Sequence, residues 1–419
     1  MRGILLIVRR SLRQHLFSTT ITVLSIALAS GLTMSVFSIQ SQSREAFTGG
    51  DLGFDAVVGA RGSQLQLVLN TVFHLETSPG NIPWTLYTEL RDKYPGVELA
   101  IPYATGDNYM GNRIVGSTPE IFTKFEYKKG RKYAILEGGR PFDEGYAEAV
   151  IGSVVSEQTG LKLGDTFNPF HGIYFDPNAR HPEEYTVVGI MDTTNTPSDR
   201  VIWIPIEGIF RMTGHVLRGT GEQFTADAVA AIPDAHKEVS AVMLKLKSPQ
   251  VGWQLDQMIN KQGKVATLAH PIGTVMLDLF NKVGWVNRIL ELVAYLVVFV
   301  SAAAITASIY NTINERKREF AILRALGARR RTVFSAIVVE SACIAALGSL
   351  CGFVCYGAIL LVAAQVVRQQ TGVVLNATTL HPSLYLTPLG MVLLGALSGV
   401  IPAIRAYSTD VAENLAPHS

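Results

Sequence analysis

Cysteine is scarce in this chain, and its three copies, Cys343, Cys351 and Cys355, all lie in one apolar run. The long polar middle of the sequence has none, which excludes a disulfide framework there. Within the apolar run the thiols lack a converging set of His and carboxylate ligands, so they read as small residues packed between helices. Charge is sparse as well: Asp, Glu, Lys and Arg make up 17% of the residues, where a soluble chain carries about a quarter. No G-x-x-x-x-G-K-[ST] occurs, so there is no P-loop to cradle a nucleotide phosphate. G-x-S-x-G, H-E-x-x-H and paired C-x-x-C are also missing, and with them any recognisable hydrolase centre. The formal net charge of +2 says little about partners, and nothing points to nucleic acid.

Apolar sequence, by contrast, is plentiful, at 48% hydrophobic residues and a mean hydropathy of +0.25. Four runs meet the roughly 20 residues that a helix needs to cross a bilayer: 17–40, 289–313, 332–367 and 384–404. The first is too long for a cleavable signal peptide, and no A-x-A-like site follows it. Basic residues orient the spans. Arg2, Arg9, Arg10 and Arg13 precede the first, seven Lys/Arg crowd residues 314–331, and the 368–383 loop has only Arg368. Both termini, including the tail 405–419, and the basic loop are therefore expected in the cytoplasm, with 41–288 outside. In residues 1–16, Ile4, Leu5, Val8, Leu12 and Leu16 recur at helical spacing, which predicts an amphipathic helix lying on the inner leaflet.

The external segment reads as mixed α/β. "WTLYTELRDKYPG" has helical periodicity, and "VELAIPYAT" follows it as a strand. "VSAVMLKLKSP", "QVGWQLDQMINKQ" and "KVATLAH" read as strand, helix and strand. The spacing predicts a split α/β unit, 41–129 with 236–280, into which a β-rich subdomain, 130–235, is inserted. Residues 65–81 are expected to be a loop. The turn-rich "NPFHGIYFDPNARHP" holds His171, Asp176 and His181, metal-capable types that read chiefly as solvated loop residues. No metal is expected, with those three as the weak candidates. Glu340, inside the third apolar run, is expected to snorkel to the interface or to pair with an arginine of the basic loop.

The basic loop "NERKREFAILRALGARRRTVF" also carries Phe320, Leu323 and Leu326. On residues alone it reads either as a membrane anchor or as a short helix that lays an apolar patch into a partner's groove, with charges at the rim. Glu315, Arg316, Arg318, Glu319, Leu323, Arg324, Ala325, Gly327 and Ala328 resemble the E-R-x-R-E-x-(A/G)-x-L-R-A-x-G-A segment of the FtsX/MacB-type (type VII, mechanotransmission) ABC transporter permeases. These include lipoprotein-releasing LolC/LolE-like, macrolide- and peptide-exporting, and cell-division permeases. "LKLGDTF", "EYTVVGIMDTTNTPSDRVIWIPI" and the ending "IPAIRAYSTDVAENL" are similar to the same family, so the resemblance covers nearly the whole chain.

The resemblance implies a non-catalytic permease subunit of the bacterial inner membrane: an α-helical membrane protein with four transmembrane helices and a large periplasmic domain. It implies a separate cytoplasmic ABC ATPase dimer that binds ATP and Mg, no cofactor on this chain, and a second permease copy or paralogue. A periplasmic or outer-membrane partner protein is a further expectation. Residues 314–331 then become the helix that couples to the ATPase, with Glu315, Arg316, Arg318, Glu319, Phe320, Leu323, Arg324, Leu326 and Gly327 at the interface. Some members fuse the ATPase into the same chain, and this sequence carries none. The stretches 168–182 and 219–237 look longer than is usual in the family. The alternative is an ATP-independent sensor or scaffold with a ligand-binding external domain.

Overall fold

A computed structural model describes residues 2–48, 53–145, 147–215, 232–325, 327–371 and 380–407. Two compact units emerge: Met1–Ser43 with Val283–Gln365 and Leu375–Ser419, and Arg44–Lys282 with Val366–Val374.

The chain starts with α1 (Arg2–Gln14) and α2 (Leu16–Thr48). The second unit follows. Its first half contains β1 (Ala56–Ala60), α3 (Gln64–Thr71), β2 (Ile82–Pro83), α4 (Trp84–Lys93), β3 (Val97–Tyr109), β4 (Asn112–Ser117) and α5 (Glu120–Thr123). Next come β5 (Glu148–Ile151), α6 (Ser153–Thr159), β6 (Thr166–Phe167), β7 (Phe170–His171), β8 (Tyr185–Ile190), β9 (Val201–Pro205) and α7 (Ile206–Phe210). It closes with β10 (Glu238–Val239), β11 (Ala241–Leu246), α8 (Pro249–Asp256), β12 (Ala266–Ala269) and α9 (Ile272–Lys282). The first unit then resumes with α10 (Gly284–Glu315), α11 (Lys317–Ala325), α12 (Arg330–Thr371) and α13 (Ser383–Tyr407).

In the second unit one sheet runs β12-β1-β11-β3-β4-β9-β5-β8-β6, with β7 added alongside β3. Segment 130–235, set apart by its turn-rich sequence, supplies β5 to β9 to this same sheet, joined through the parallel β4–β9 pairing. The reason is visible in the strands: β4 and β9 are buried along their whole length, as expected of strands covered on both faces. β3 turns into β4 over Met110 and Gly111, at φ 49° and 82°. Two successive positive φ values are what a two-residue type I′ hairpin demands. The expected loop at 65–81 is in part a helix. Ser63 caps α3 by accepting from the Gln66 N–H, and Leu67 and Val68 are fully buried.

Among the described residues, four helices are long and apolar enough to cross a membrane: Leu16–Phe47, Gly284–Glu315, Arg330–Thr371 and Ser383–Arg405. All outrun the apolar runs read from sequence, because polar stretches such as Gln40–Arg44 continue the helix. Phe299, Leu350, Val354, Leu361, Leu397 and Ile401 are exposed on these helices, as befits side chains that face lipid. Inside, small residues let backbones approach. A Cβ on Gly31 would stand 2.5 Å from Cys355 Cβ, and one on Gly348 would stand 2.6 Å from Ile26 Cβ. Cys355 thus packs between helices, whereas Cys351 is exposed.

The second unit also holds a half-buried imidazole. His74 has φ 54°, and its Nδ1 lies 3.0 Å from the Tyr103 hydroxyl. Burial, with help from the charges of Arg113 and Arg200, holds its pKa well below the usual imidazole value. A folded-state pKa below the unfolded one means that the unfolded chain binds the extra proton, so stability falls as pH drops below about 6.5. Thermal melts of the full chain should show Tm falling between about pH 7.5 and about pH 5. The fall should be smaller in His74→Asn, which keeps the left-handed backbone accessible. Equal slopes would mean that His74 is not buried in its neutral form.

Candidate functional site

The junction of α10, α11 and α12 concentrates buried polar groups in the membrane unit. At the end of α10 the Arg316 N–H donates to the carbonyls of Thr312 (3.1 Å) and Ile313 (3.2 Å), which closes one helix before the next begins. The Arg316 side chain turns inward and is only 6% exposed. Its Nη1 donates to Ser11 Oγ at 2.6 Å and its Nε to Glu319 Oε2 at 3.0 Å. Ser11 Oγ in turn donates to Glu340 Oε1, while Glu340 Oε2 lies 3.6 Å from Arg316 Nη1. The guanidinium also sits 5.0 Å from the centre of the Phe320 ring. One arginine therefore ties α1, α11 and α12 together through charge-assisted hydrogen bonds.

Of the two expectations for Glu340, snorkelling gives way to pairing: the carboxylate is buried and faces Arg316. A carboxylate two turns into a span is costly in lipid and cheaper beside a guanidinium and a hydroxyl.

The interface residues read from sequence divide by face. Arg316 and Phe320 point into the helix packing, where Phe320 joins a cluster with Ile313, Val333 and Ile337. Leu323 packs on that cluster and is half-buried, as is Arg324. Glu315, Glu319, Ile322 and Gly327 are exposed, and Glu315 reaches His15 Nδ1 at 3.2 Å. Arg318 lies on α11, and Leu326 lies outside the described residues, as do 216–231, 372–379 and the tail from 408. Gly327 has φ 97°, with its N–H on the Arg324 carbonyl and the Ala328 N–H on the Leu323 carbonyl, each at 3.0 Å. That pair of bonds is a Schellman motif, and its left-handed position is the one that favours glycine. Ser11 was not singled out from sequence. Its only signal is a small polar residue one turn from Val8 on an otherwise apolar stripe.

A second cluster sits in the α/β unit. Asp107, at the end of β3, is fully buried, and three histidines converge on it. His171 Nδ1, on β7, is 3.4 Å from Oδ1, and His181 Nε2 is 3.1 Å from the same oxygen. His215 Nε2, in the segment after α7, is 3.3 Å from Oδ2. The pairing of β3 with β7 places Asp107 directly opposite His171. Burial alone would raise the Asp107 pKa, but the three imidazoles hold it far below the carboxylate range. Asp107 in return raises His171 and, against the opposing effect of burial, His215. The reading of His181 as a solvated loop residue fails, since it is 5% exposed. Asp176 stays in its turn, where its Oδ1 accepts from the Asn178 N–H at 2.9 Å. The carboxylate of the cluster is Asp107 instead. Elsewhere in this unit a cavity of about 520 Å³ is lined by Phe54, His74, Tyr127, Tyr133 and the turn Thr194–Ser198.

Among the described residues, four helices long and apolar enough to cross a membrane, with a large mixed α/β domain between the first and second, define a helical membrane protein that carries a large domain outside its spans. The MacB-like periplasmic core domain model matches residues 19–260, and the FtsX-like permease C-terminal model matches residues 291–411. The chain belongs to the FtsX/MacB-type permease family, whose members are components of ABC-type systems and generally non-catalytic. Among solved structures, the periplasmic region of MacB from Actinobacillus actinomycetemcomitans is similar at 12% identity and a TM-score of 0.34. That match covers 57% of this chain and 99% of the other.

The buried pair makes a directional prediction. Glu340→Ala leaves Arg316 uncompensated and should cost roughly 3–5 kcal/mol, whereas Glu340→Leu with Arg316→Met should cost clearly less. Thermal melts of the detergent-solubilised chain rank the two. A double variant no more stable than Glu340→Ala would mean that the residues do not act as a pair.

Proposed function

We propose that this chain is the membrane subunit of an ATP-driven complex, working beside a second permease copy and a separate cytoplasmic ABC ATPase dimer. The observation that carries the reading is α11. It is a short helix closed by a glycine cap and held from behind by Phe320 and by the Arg316–Glu319 pair, with Ile322 and Ala325 left outward. A helix anchored on one face and free on the other is suited to receive a partner's motion and pass it to the spans. Family membership supports the partner's identity as an ABC ATPase, and the missing P-loop requires that nucleotide be bound there.

In this reading the chain lies in the inner membrane with both termini in the cytoplasm, as the basic residues around 1–16 and 314–331 favour. ATP and Mg close the ATPase dimer, the α11 helices follow, and the spans transmit the movement to the external domains. The work done outside is the release or export of a substrate such as a lipoprotein, peptide or drug, with the spans acting as levers and no polar channel required.

The outward face of α11 now defines the test. Co-purification of an ABC ATPase with the chain from its native membranes should succeed for the wild type. It should fail, or weaken at least about tenfold, for Ile322→Glu with Ala325→Glu, which alters the exposed face and leaves the partners of Arg316 in place. An intact, folded chain that brings down no ATPase in either form would favour a ligand-binding sensor that acts without ATP.

A further inference from the structure

The Asp107 cluster has no part in that mechanism, yet its donor set is that of a metal site. We propose that Asp107, His171, His181 and His215 bind one divalent transition-metal cation, with zinc as the best fit.

One ligand atom from each residue lies within 4.8 Å of all the others. In a tetrahedral zinc centre with bonds of about 2.0–2.1 Å, neighbouring ligand atoms stand about 3.3 Å apart. Measured to the single oxygen Oδ1, the three carboxylate–imidazole separations, 3.4, 3.1 and 3.3 Å, already have that length. The imidazole nitrogens, within 4.8 Å of one another, have to draw closer, and the exposed His171 is the ring with most room to turn. The rings are mutually steep, at 73°, 67° and 87°, so the nitrogens approach from different directions and do not share one plane.

Hydrogen bonding supplies a second, independent argument. His215 Nδ1 lies 2.8 Å from the Ile209 carbonyl, an acceptor that requires an N–H. In the neutral ring the proton is then on Nδ1, and Nε2 presents a lone pair to Asp107 Oδ2 at 3.3 Å. In that neutral tautomer Nε2, 3.3 Å from both carboxylate oxygens, faces them as an acceptor, and Asp107 Oδ2 has no hydrogen-bond partner. A cation between them satisfies both, and the Ile209 carbonyl becomes the outer partner that fixes the tautomer of a metal-bound imidazole.

The chemistry narrows the choice. Three neutral imidazoles and one carboxylate suit zinc and its neighbours, whereas calcium and magnesium want oxygen ligands. Four protein ligands close a tetrahedral shell and leave no open position, so the site is structural or regulatory. An entry path exists, since a cleft of about 290 Å³ beside the cluster is lined by Thr105, Gly106, His171 and His215. A bound ion would pin the 168–182 stretch and the segment after α7 to the edge of β3, joining three parts of the chain that are far apart in sequence.

The test uses the full-length chain in detergent, purified without a histidine tag and stripped with a chelator. Zinc chloride alone is titrated against a chromophoric competitor, and cobalt is substituted to read its visible spectrum. One zinc per chain, a Tm that rises on zinc addition and the intense bands of tetrahedral cobalt are expected for the wild type. His171→Gln, a change at an exposed side chain, should weaken binding more than about tenfold and abolish the Tm shift, and Asp176→Asn should behave as wild type. Wild type binding zinc no better than His171→Gln, or pale octahedral cobalt in both, would overturn the proposal and leave a hydrogen-bonded cluster. Should Asp107→Asn fail to fold, the wild-type stoichiometry and His171→Gln still decide.

Discussion

The membrane unit depends on one buried charge. Arg316 stands at the break between α10 and α11, where an unsatisfied guanidinium would be intolerable, and its partners come from α1 and α12. Ser11 both accepts from Arg316 and donates to Glu340, so the three polar side chains satisfy one another in a line. Such a group fixes geometry more than it adds stability, because desolvation offsets most of the attraction. What it fixes is the angle at which α11 leaves the bundle. Phe320, beneath the guanidinium, adds an apolar contact to the same joint. The Gly327 cap then ends the helix and lets α12 start at Arg330.

The α/β unit is built on a different constraint, a single sheet whose central strands are buried on both faces. Buried polar side chains gather at its turns and strand ends. Asp199 accepts from the Thr194 and Asn195 N–H groups and so shapes the turn that lines the larger cavity. Asp107 stands apart in having three imidazoles gathered on one carboxylate, whose Oδ2 is left without a hydrogen-bond partner.

Much of this was legible in sequence. Apolar runs long enough for a bilayer are local signals, and Gly327 after a helical stretch is a local stop. Family resemblance carried by Glu315 to Ala328 and by the external turns agreed with the matched regions 19–260 and 291–411. Direction was not legible. Arg316, Arg318 and Arg324 look alike in a basic loop, and only packing against α1 and α12 shows that Arg316 turns inward. The helix α3 was hidden because its buried Leu67 and Val68 are too few to set a period. The Asp107 cluster was half visible: His171 and His181 stood out in a turn-rich stretch, but their carboxylate lies 74 residues before His181 and 108 before His215. No spacing rule joins positions that only a sheet brings together.

In the proposed function, the Arg316 joint carries motion from α11 to the external domain. The direct measurement is the distance between two copies of that domain in the reconstituted complex, read by spin labels at Lys162→Cys with Cys343, Cys351 and Cys355 replaced by alanine. Adding ATP should change that distance in the otherwise native chain. In the Arg316→Met with Glu340→Leu variant the ATPase should still bind, and the distance should no longer respond. A full ATP response in that variant would contradict the account, and motion would have to pass by another route.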